Sequence, residues 1–413
     1  MIILNEKKTA QNSGKKSIIK VLAMSLLLLL LIAAAAAAVA NFSGVSLFGA
    51  VEPKSTGQYY SVEPDNINDF EAFDSGLVLL SDSAIQYIDA SGREISSSAH
   101  SFSKPVMEVN SKTVLLYDKG GRQFRIEKNA AVYNSYTVNG AITCAALGKR
   151  NNYAYVLNED GGYQSHLYIY SFRGTKQFEW GSASDYCLDI ALSDNGRRAA
   201  VCASGVNNAE FYSRVILFDF NSSEQLYSAE FSDCTVFSIE FIDSKRVAAY
   251  TDKGIYILDE TGNRTAVQEY SSNELKHIAA AHGGLKCSVI SKYGNEQAPV
   301  INVFNKKAKL LFTREYNEKL TGADTSSRFT ALMFEDSIEV LNRENAVVGT
   351  VTLSDGGIKC VINGSKLFVH TASGLYCVAA AGESSLAESV SVQNIATTVQ
   401  ETITAAQNTN VVG

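Results

Sequence analysis

The side chains able to do chemistry are few in this 413-residue chain, and their spacing does not suit it. Five histidines stand at His100, His166, His277, His282 and His370. His277 and His282 are five apart. One strand face needs an even spacing and one helix face needs three or four, so this pair does not share a metal. There is no GxSxG elbow, no HExxH pair and no GxxxxGK[ST] phosphate loop, and SGKKS at Ser13 lacks the upstream glycine. The seven cysteines (Cys144, Cys187, Cys202, Cys234, Cys287, Cys360 and Cys377) form no CxxC and no adjacent pair. Most lie in apolar runs such as ITCAAL, AAVCAS, IKCVIN and LYCVAA, where a thiol acts as a small buried hydrophobe. The acids mostly mark turns, where Asp bonds the local backbone. No catalytic, cofactor or metal residue is assigned, and the chain reads as a non-enzyme.

The elements that would position any site come from a repeat. Short strand-like runs alternate with turn residues from about residue 68 onward. One marker is a polar turn between two apolar strands, at Asp74, Asn110, Gly148, Ser193, Asp243, His282, Asp324 and Asn363. Successive spacings are 36, 38, 45, 50, 39, 42 and 39. The other marker is an alternating strand ending in a polar tetrad, as in IQYI-DASG, ILF-DFNS and YIL-DETG. Both occur eight times in the same order. A four-stranded unit of this length is the size of a β-propeller blade, and two markers in step over eight units favour a propeller over a sandwich. The abundance of Tyr (20) and Phe (19) suits β-structure. The fold class is all-β, an eight-bladed propeller of four-stranded blades preceded by one transmembrane helix. The eighth unit lacks a clear fourth strand. Gln58–Pro64 (QYYSVEP) is expected to supply it and close the ring, with Leu386–Gln393 as the alternative.

The ends set location. Residues 1–20 carry Lys7, Lys8, Lys15, Lys16 and Lys20 against Glu6, and Val21–Ala40 has no charge over twenty residues. At about 1.5 Å per residue that run spans ~30 Å, the apolar thickness of a bilayer. It exceeds the usual apolar core of a cleaved signal, which favours an uncleaved anchor. The basic flank keeps the N-terminus in the cytoplasm and exports the rest. The expected organisation is a basic cytoplasmic tip (1–17), a transmembrane signal anchor (18–40), a tether (41–57), the propeller (58–382) and a flexible Ser/Thr/Ala-rich tail (383–413). Beyond residue 40 remain 31 basic and 42 acidic residues, a net charge of −11, which argues against nucleic acid as a partner.

The repeats ALSDNGRRAAVCAS, IQYIDASGREI and GIYILDETGNRT resemble those of WD40-like and quinoprotein-like propellers. The layout of basic tip, single span and propeller resembles an uncharacterised family of membrane-anchored propeller proteins of Gram-positive bacteria. That resemblance covers residues 1 to about 382 and implies a fold and a place at the membrane, but no activity. Quinoprotein dehydrogenases use an adjacent Cys–Cys pair and a Trp near each blade's outer edge. This chain has no such pair and one Trp, Trp180, so their quinone chemistry is not implied.

Candidate binding residues come from three b–c connections that read as long loops: Glu159–Ser165, Gly205–Ser213 and Tyr293–Ala298. They carry Tyr163, Phe211, Tyr212 and Tyr293 on one rim of the ring. Aromatic side chains on connections over a rigid scaffold are what a binding surface uses. The expected role is a scaffold or sensor for another envelope or membrane protein; the second reading is a small ligand or glycan at the channel mouth, and the third is a hydrolase or lyase whose residues are too dispersed to read from sequence.

Overall fold

The computed structural model describes residues 55–56, 58–60, 67–222, 224–280 and 284–386. The expected tip, anchor, His282 and most of the tether and tail lie outside the described residues. Among the described residues no helix is long and apolar enough to cross a membrane.

Eight antiparallel four-stranded sheets follow one another along the chain, strands a to d running outward from the axis. Blades one to six span residues 69–99, 105–137, 141–182, 186–231, 236–269 and 273–315. Blade seven spans 322–352, and blade eight takes its first three strands from 357–379. The strand b sequences explain the stacking. GLVLL (Gly76–Leu80), VAAYT (Val247–Thr251) and FTALM (Phe329–Met333) are apolar on both sides and buried throughout. Such a strand needs a covering layer on each face. Strand d faces water, as in Ala131–Thr137, which is exposed along most of its length. Eight apolar clusters result, one at each junction between neighbouring blades. All seven cysteines are free and buried.

The turn markers have a physical basis. After strand c, Asp89 Oδ1 accepts from the amides of Ser91 (2.8 Å) and Arg93 (3.1 Å), and Asp259 Oδ1 from Thr261 (2.9 Å) and Asn263 (3.0 Å). Asn305 and Asn342 make the same pair of contacts in blades six and seven. These turns close on a residue of positive φ, Gly92 (+82°) in blade one and Gly262 (+86°) in blade five.

Gln58–Tyr60 completes blade eight, as expected: Gln58, Tyr59 and Tyr60 pair with Cys377, Tyr376 and Leu375. The other chain end behaves differently. Gly382–Ser385 pairs in parallel with strand d of blade seven, and Ser55–Thr56 adds outside it, making that sheet six-stranded. The ring's sheets therefore reach a few residues into the segments expected to be tether and tail. Tyr60 anchors the seam. It is buried, its hydroxyl donates to the carbonyl of Ala90 at 3.0 Å, and its ring lies 6.1 Å from Phe368. A Cβ on Gly92 would fall 2.3 Å from the Tyr60 ring, so that turn glycine also makes room for the anchor.

Tyr60→Ala should lower the free energy of unfolding by about 3 kcal/mol, the usual cost of deleting a buried aromatic side chain. Tyr60→Phe should cost about 1 kcal/mol, the loss of one hydrogen bond. Urea titrations of both variants check the order; equal midpoints for wild type and Tyr60→Ala would show that the seam is not held there.

Candidate functional site

The b–c and d–a connections share one rim of the ring, called the top here, and all four expected binding residues lie on it. The expected loops of blades three and four are corrected by the structure: both are extended hairpins. In blade three, strands Tyr153–Asp160 and Tyr163–Tyr170 pair up to Asp160 and Tyr163, leaving Gly161 (φ +62°) and Gly162 (φ +85°) as a two-residue turn. In blade four, Arg198–Asn207 and Glu210–Asp219 pair up to Asn207 and Glu210, around Asn208 (φ +49°) and Ala209 (φ +64°). Positive φ at both central residues matches the twist of the flanking strands, so length here went into strand, not loop. The third connection, between Lys292 and Val300, is a loop, and its Tyr293 is 86% exposed.

The four residues are not equivalent. Phe211 is exposed near the tip of the blade-four arm, with Val206 paired opposite it, also exposed. Tyr163 packs on His166 (ring centroids 4.9 Å apart) and over Gly181. Tyr212 is structural at the arm's base: its hydroxyl donates to Asp185 Oδ1 at 2.7 Å. Asp185, fully buried in the link into blade four, also accepts from Ser182 Oγ (2.5 Å) and pairs with Arg214. Burial pushes its carboxyl up, but Ser182, Tyr212 and Arg214 outweigh that and hold it below the ordinary range. The histidines have structural partners too. His166 lies between Asp160 (3.1 Å) and Glu179 (2.9 Å), and His277 Nε2 donates to the carbonyl of Ala323 at 3.0 Å.

A second set of residues was missed in the sequence. In blades three, four, five, six and eight, strand a carries a bulge near its top end. The extra residues are Thr143, Leu188, Phe237, Lys276 and Ile358. A bulge re-aims side chains; these residues stand at the top ends of the innermost strands, where Phe237 and Lys276 line a cavity. Leu188 is 44%, Phe237 42% and Ile358 58% exposed, while the adjacent Cys187 and Val236 are buried. Tyr186, one turn of the pleat above Leu188, is exposed as well. The signal in the sequence was a break in alternation, as in YCLDIAL, which reads equally well as an apolar run.

Below the mouth the inner strands bring acids together. Asp69, Glu71, Glu108, Asp189, Glu240 and Asp324 lie on strands a of five blades. A cavity of about 740 Å³ at the lower end is lined by Glu71, Glu108, Asp324, Asn110, Lys149 and Asn363, among others. A second, of about 620 Å³, opens at the inner strands of blades five and six and is lined by Phe237, Ser238, Glu240, Leu275 and His277. Some of these acids have fixed partners. Lys359 Nζ sits 2.5 Å from Asp69 and 2.9 Å from Glu71 across the closing seam. Glu240 pairs with Lys286 and accepts from the Tyr250 hydroxyl. Asp189 accepts from Ser238 Oγ (2.8 Å) and the Ile239 amide (2.9 Å), and Asp324 from the Ile362 amide (2.7 Å). Among the described residues no group of three or more His, Cys, Asp or Glu could hold a metal ion.

The ring's electrostatics follow from this crowding. Enclosure, then the charges of Asp189, Glu71 and Asp69, push Glu108 up to about 8. Enclosure also raises Asp324, to about 7, against the Ile362 amide that accompanies it and with Glu71 adding to the rise. Burial would lower Lys359, but Glu71 and Asp69 keep its ammonium above the usual range. A carboxyl whose pKa is higher folded than unfolded binds more protons in the native state, so its contribution to stability falls with pH between those two values. For Glu108 that window runs from about 4.3, the ordinary glutamate value, to about 8. Glu108→Gln removes the titration. The variant should gain stability relative to wild type as pH rises from 5 to 8, with little difference at pH 4. Urea midpoints at the three pH values check this; a constant offset would contradict it.

The ring resembles solved propellers at low identity. The crystal structure of a eukaryotic initiation factor matches with a TM-score of 0.54 and 10% identity, covering 80% of this chain and 89% of that one. BamB from Moraxella catarrhalis matches with a TM-score of 0.49 and 11% identity, covering 79% and 98%. Likeness at this identity is one of fold alone. No curated protein matches the sequence. Residues 54–379 match a family described as of unknown function.

Proposed function

The chain belongs to that family, DUF5711, and we propose that it is a non-enzymatic, membrane-tethered scaffold or sensor whose top face holds a protein partner in the cell envelope. The observation that carries the proposal is the apolar character of the top mouth. Thr143 and Lys276 occupy the same bulge position in blades three and six as Leu188, Phe237 and Ile358 do in blades four, five and eight. A polar residue therefore fits there, and the fold does not force the apolar ones. Exposed apolar groups gathered on one face, beside Tyr186, Val206, Phe211 and Tyr293, are what association buries. Tethering is supported by the uncharged run Val21–Ala40 and its basic flank.

Three measurements test this reading. A photo-crosslinking residue placed at Phe211 or Phe237 in intact cells should give discrete protein adducts, and one at Arg197 on the opposite rim should give none. Leu188→Ala with Phe237→Ala should reduce partner capture at least tenfold, since buried apolar anchors of an interface each contribute about 1–2 kcal/mol. Adducts from the bottom rim alone, or capture unchanged by the double substitution, would remove the top face from consideration. Membrane fractions washed at alkaline pH should retain the full chain in the pellet; its release would remove the tether.

A further inference from the structure

The mouth has a second property that narrows the partner's chemistry. Its apolar rim stands directly over carboxylates on the same strands. Leu188 is followed by Asp189, and Phe237 precedes Glu240 by three residues. At about 3.3 Å per strand residue, these acids lie ~3–10 Å below the rim, within reach of a long cationic side chain entering along the axis. Phe237 and Glu240 line one cavity of about 620 Å³, together with Leu275 and Ile278. Lys276 also lines it, but its charge is answered by Glu274 and, at 3.2 Å, by Glu296. Of the six carboxyl groups along the channel, Asp69 and Glu71 pair with Lys359 and Glu240 pairs with Lys286.

We propose that the occupant of this mouth is a polypeptide segment carrying a lysine or arginine flanked by apolar residues, its cation directed into the channel and its apolar neighbours seated on Leu188, Phe237 and Ile358. This rests on the docking reading above and specifies its partner. A cation entering at the mouth meets the carboxyl groups of Asp189 and Glu240 inside a low-dielectric wall, where charge complementarity fixes partner choice. Long Lys and Arg stems bury their methylenes against apolar rims while the head group passes beyond them. Anionic partners are repelled by the same acids and by the −11 charge of the chain beyond residue 40. The chain's own residues 387–413 fit poorly by charge, having Glu388 and Glu401 and no Lys or Arg.

Panning a random phage-displayed peptide library on the detergent-solubilised full chain tests the proposal. Enriched clones should share a Lys or Arg between apolar residues. Their recovery should fall at least tenfold on the Leu188→Ala, Phe237→Ala double variant, whose folding is checked by its thermal midpoint. A synthetic copy of the best clone should bind Glu240→Gln, which alters the acid that shares the mouth cavity with Phe237, at least threefold more weakly than wild type, and its own Lys or Arg→Glu version should not bind. Clones that depend on the rim but lack a basic residue would overturn this inference and leave the docking reading standing. No enrichment, or enrichment indifferent to the rim, would overturn both. A crosslink from position 237 to residues 387–413 of the same chain would make the tail the occupant and overturn the proposal.

Discussion

Every blade buries both faces of its second strand, so each depends on a neighbour on either side, and the arrangement is satisfied only when blade eight meets blade one. That junction brings together residues about 290 positions apart in sequence. Closing a loop of that length costs about 5 kcal/mol in chain entropy beyond a constant term. The seam carries a dense set of contacts to set against this cost. Gln58–Tyr60 supplies the missing strand, and Tyr60, Phe70, Leu77, Val361, Phe368 and Leu375 share one core. Asn363 donates to the carbonyls of Asp74 (3.1 Å) and Gly76 (2.9 Å), and Lys366 to that of Ala90 (2.6 Å). Lys359 holds Asp69 and Glu71 from the opposite side of the same junction.

Closure also creates the channel. Eight inner strands cannot meet at the axis, so their axial faces look into a shared space and not into a core. Side chains there are free of the packing demands that fill strands b and c with Val, Leu, Ile and Ala. The ring uses some of them to lock adjacent blades, as with Asp189 to Ser238 and Ile239, Asp324 to Ile362 and His277 to Ala323. Enclosure, and then the charges of neighbouring acids, raises Glu108 and Asp324 above the ordinary carboxylate range.

The repeat was legible because it rests on local chemistry. Asp89, Asp259, Asn305 and Asn342 bond the backbone two and four residues ahead, so the residue type and its spacing are visible in the chain itself. The closing strand was legible for a complementary reason: the eighth unit was one strand short and QYYSVEP stood unassigned. Three things were not legible. The arms of blades three and four looked like loops because polar residues such as those of GVNNAEFYS continue a two-stranded ribbon beyond the blade, where no core imposes alternation. The bulge residues were hidden because one added residue shifts the pattern without changing composition. The acids of the channel converge only through ring closure, and Glu108 within PVMEVN gives no sign of Asp189 or Glu71 nearby. Of the four expected binding aromatics, sequence alone could not separate the free Phe211 and Tyr293 from Tyr212, whose hydroxyl is committed to Asp185.

That commitment bears on how the top face works. The last three residue pairs of the blade-four hairpin, 205–207 with 210–212, rise beyond the flanking strands, and a freely swinging tip would lose conformational entropy on docking. Asp185 counters this at the arm's base. It is buried, fixed by Ser182 on its own link and by Tyr212 and Arg214 on the arm, and the Arg214 guanidinium lies over the Tyr212 ring at 5.7 Å. The link from blade three and the arm of blade four thus become one rigid unit, with Phe211 and Val206 exposed above it. Tyr186 and Leu188 begin the strand that follows the same link, so the arm and the axial mouth are positioned by a single buried carboxylate. An apolar arm fixed relative to an apolar mouth presents a preformed surface, and less ordering is left for a partner to drive on contact.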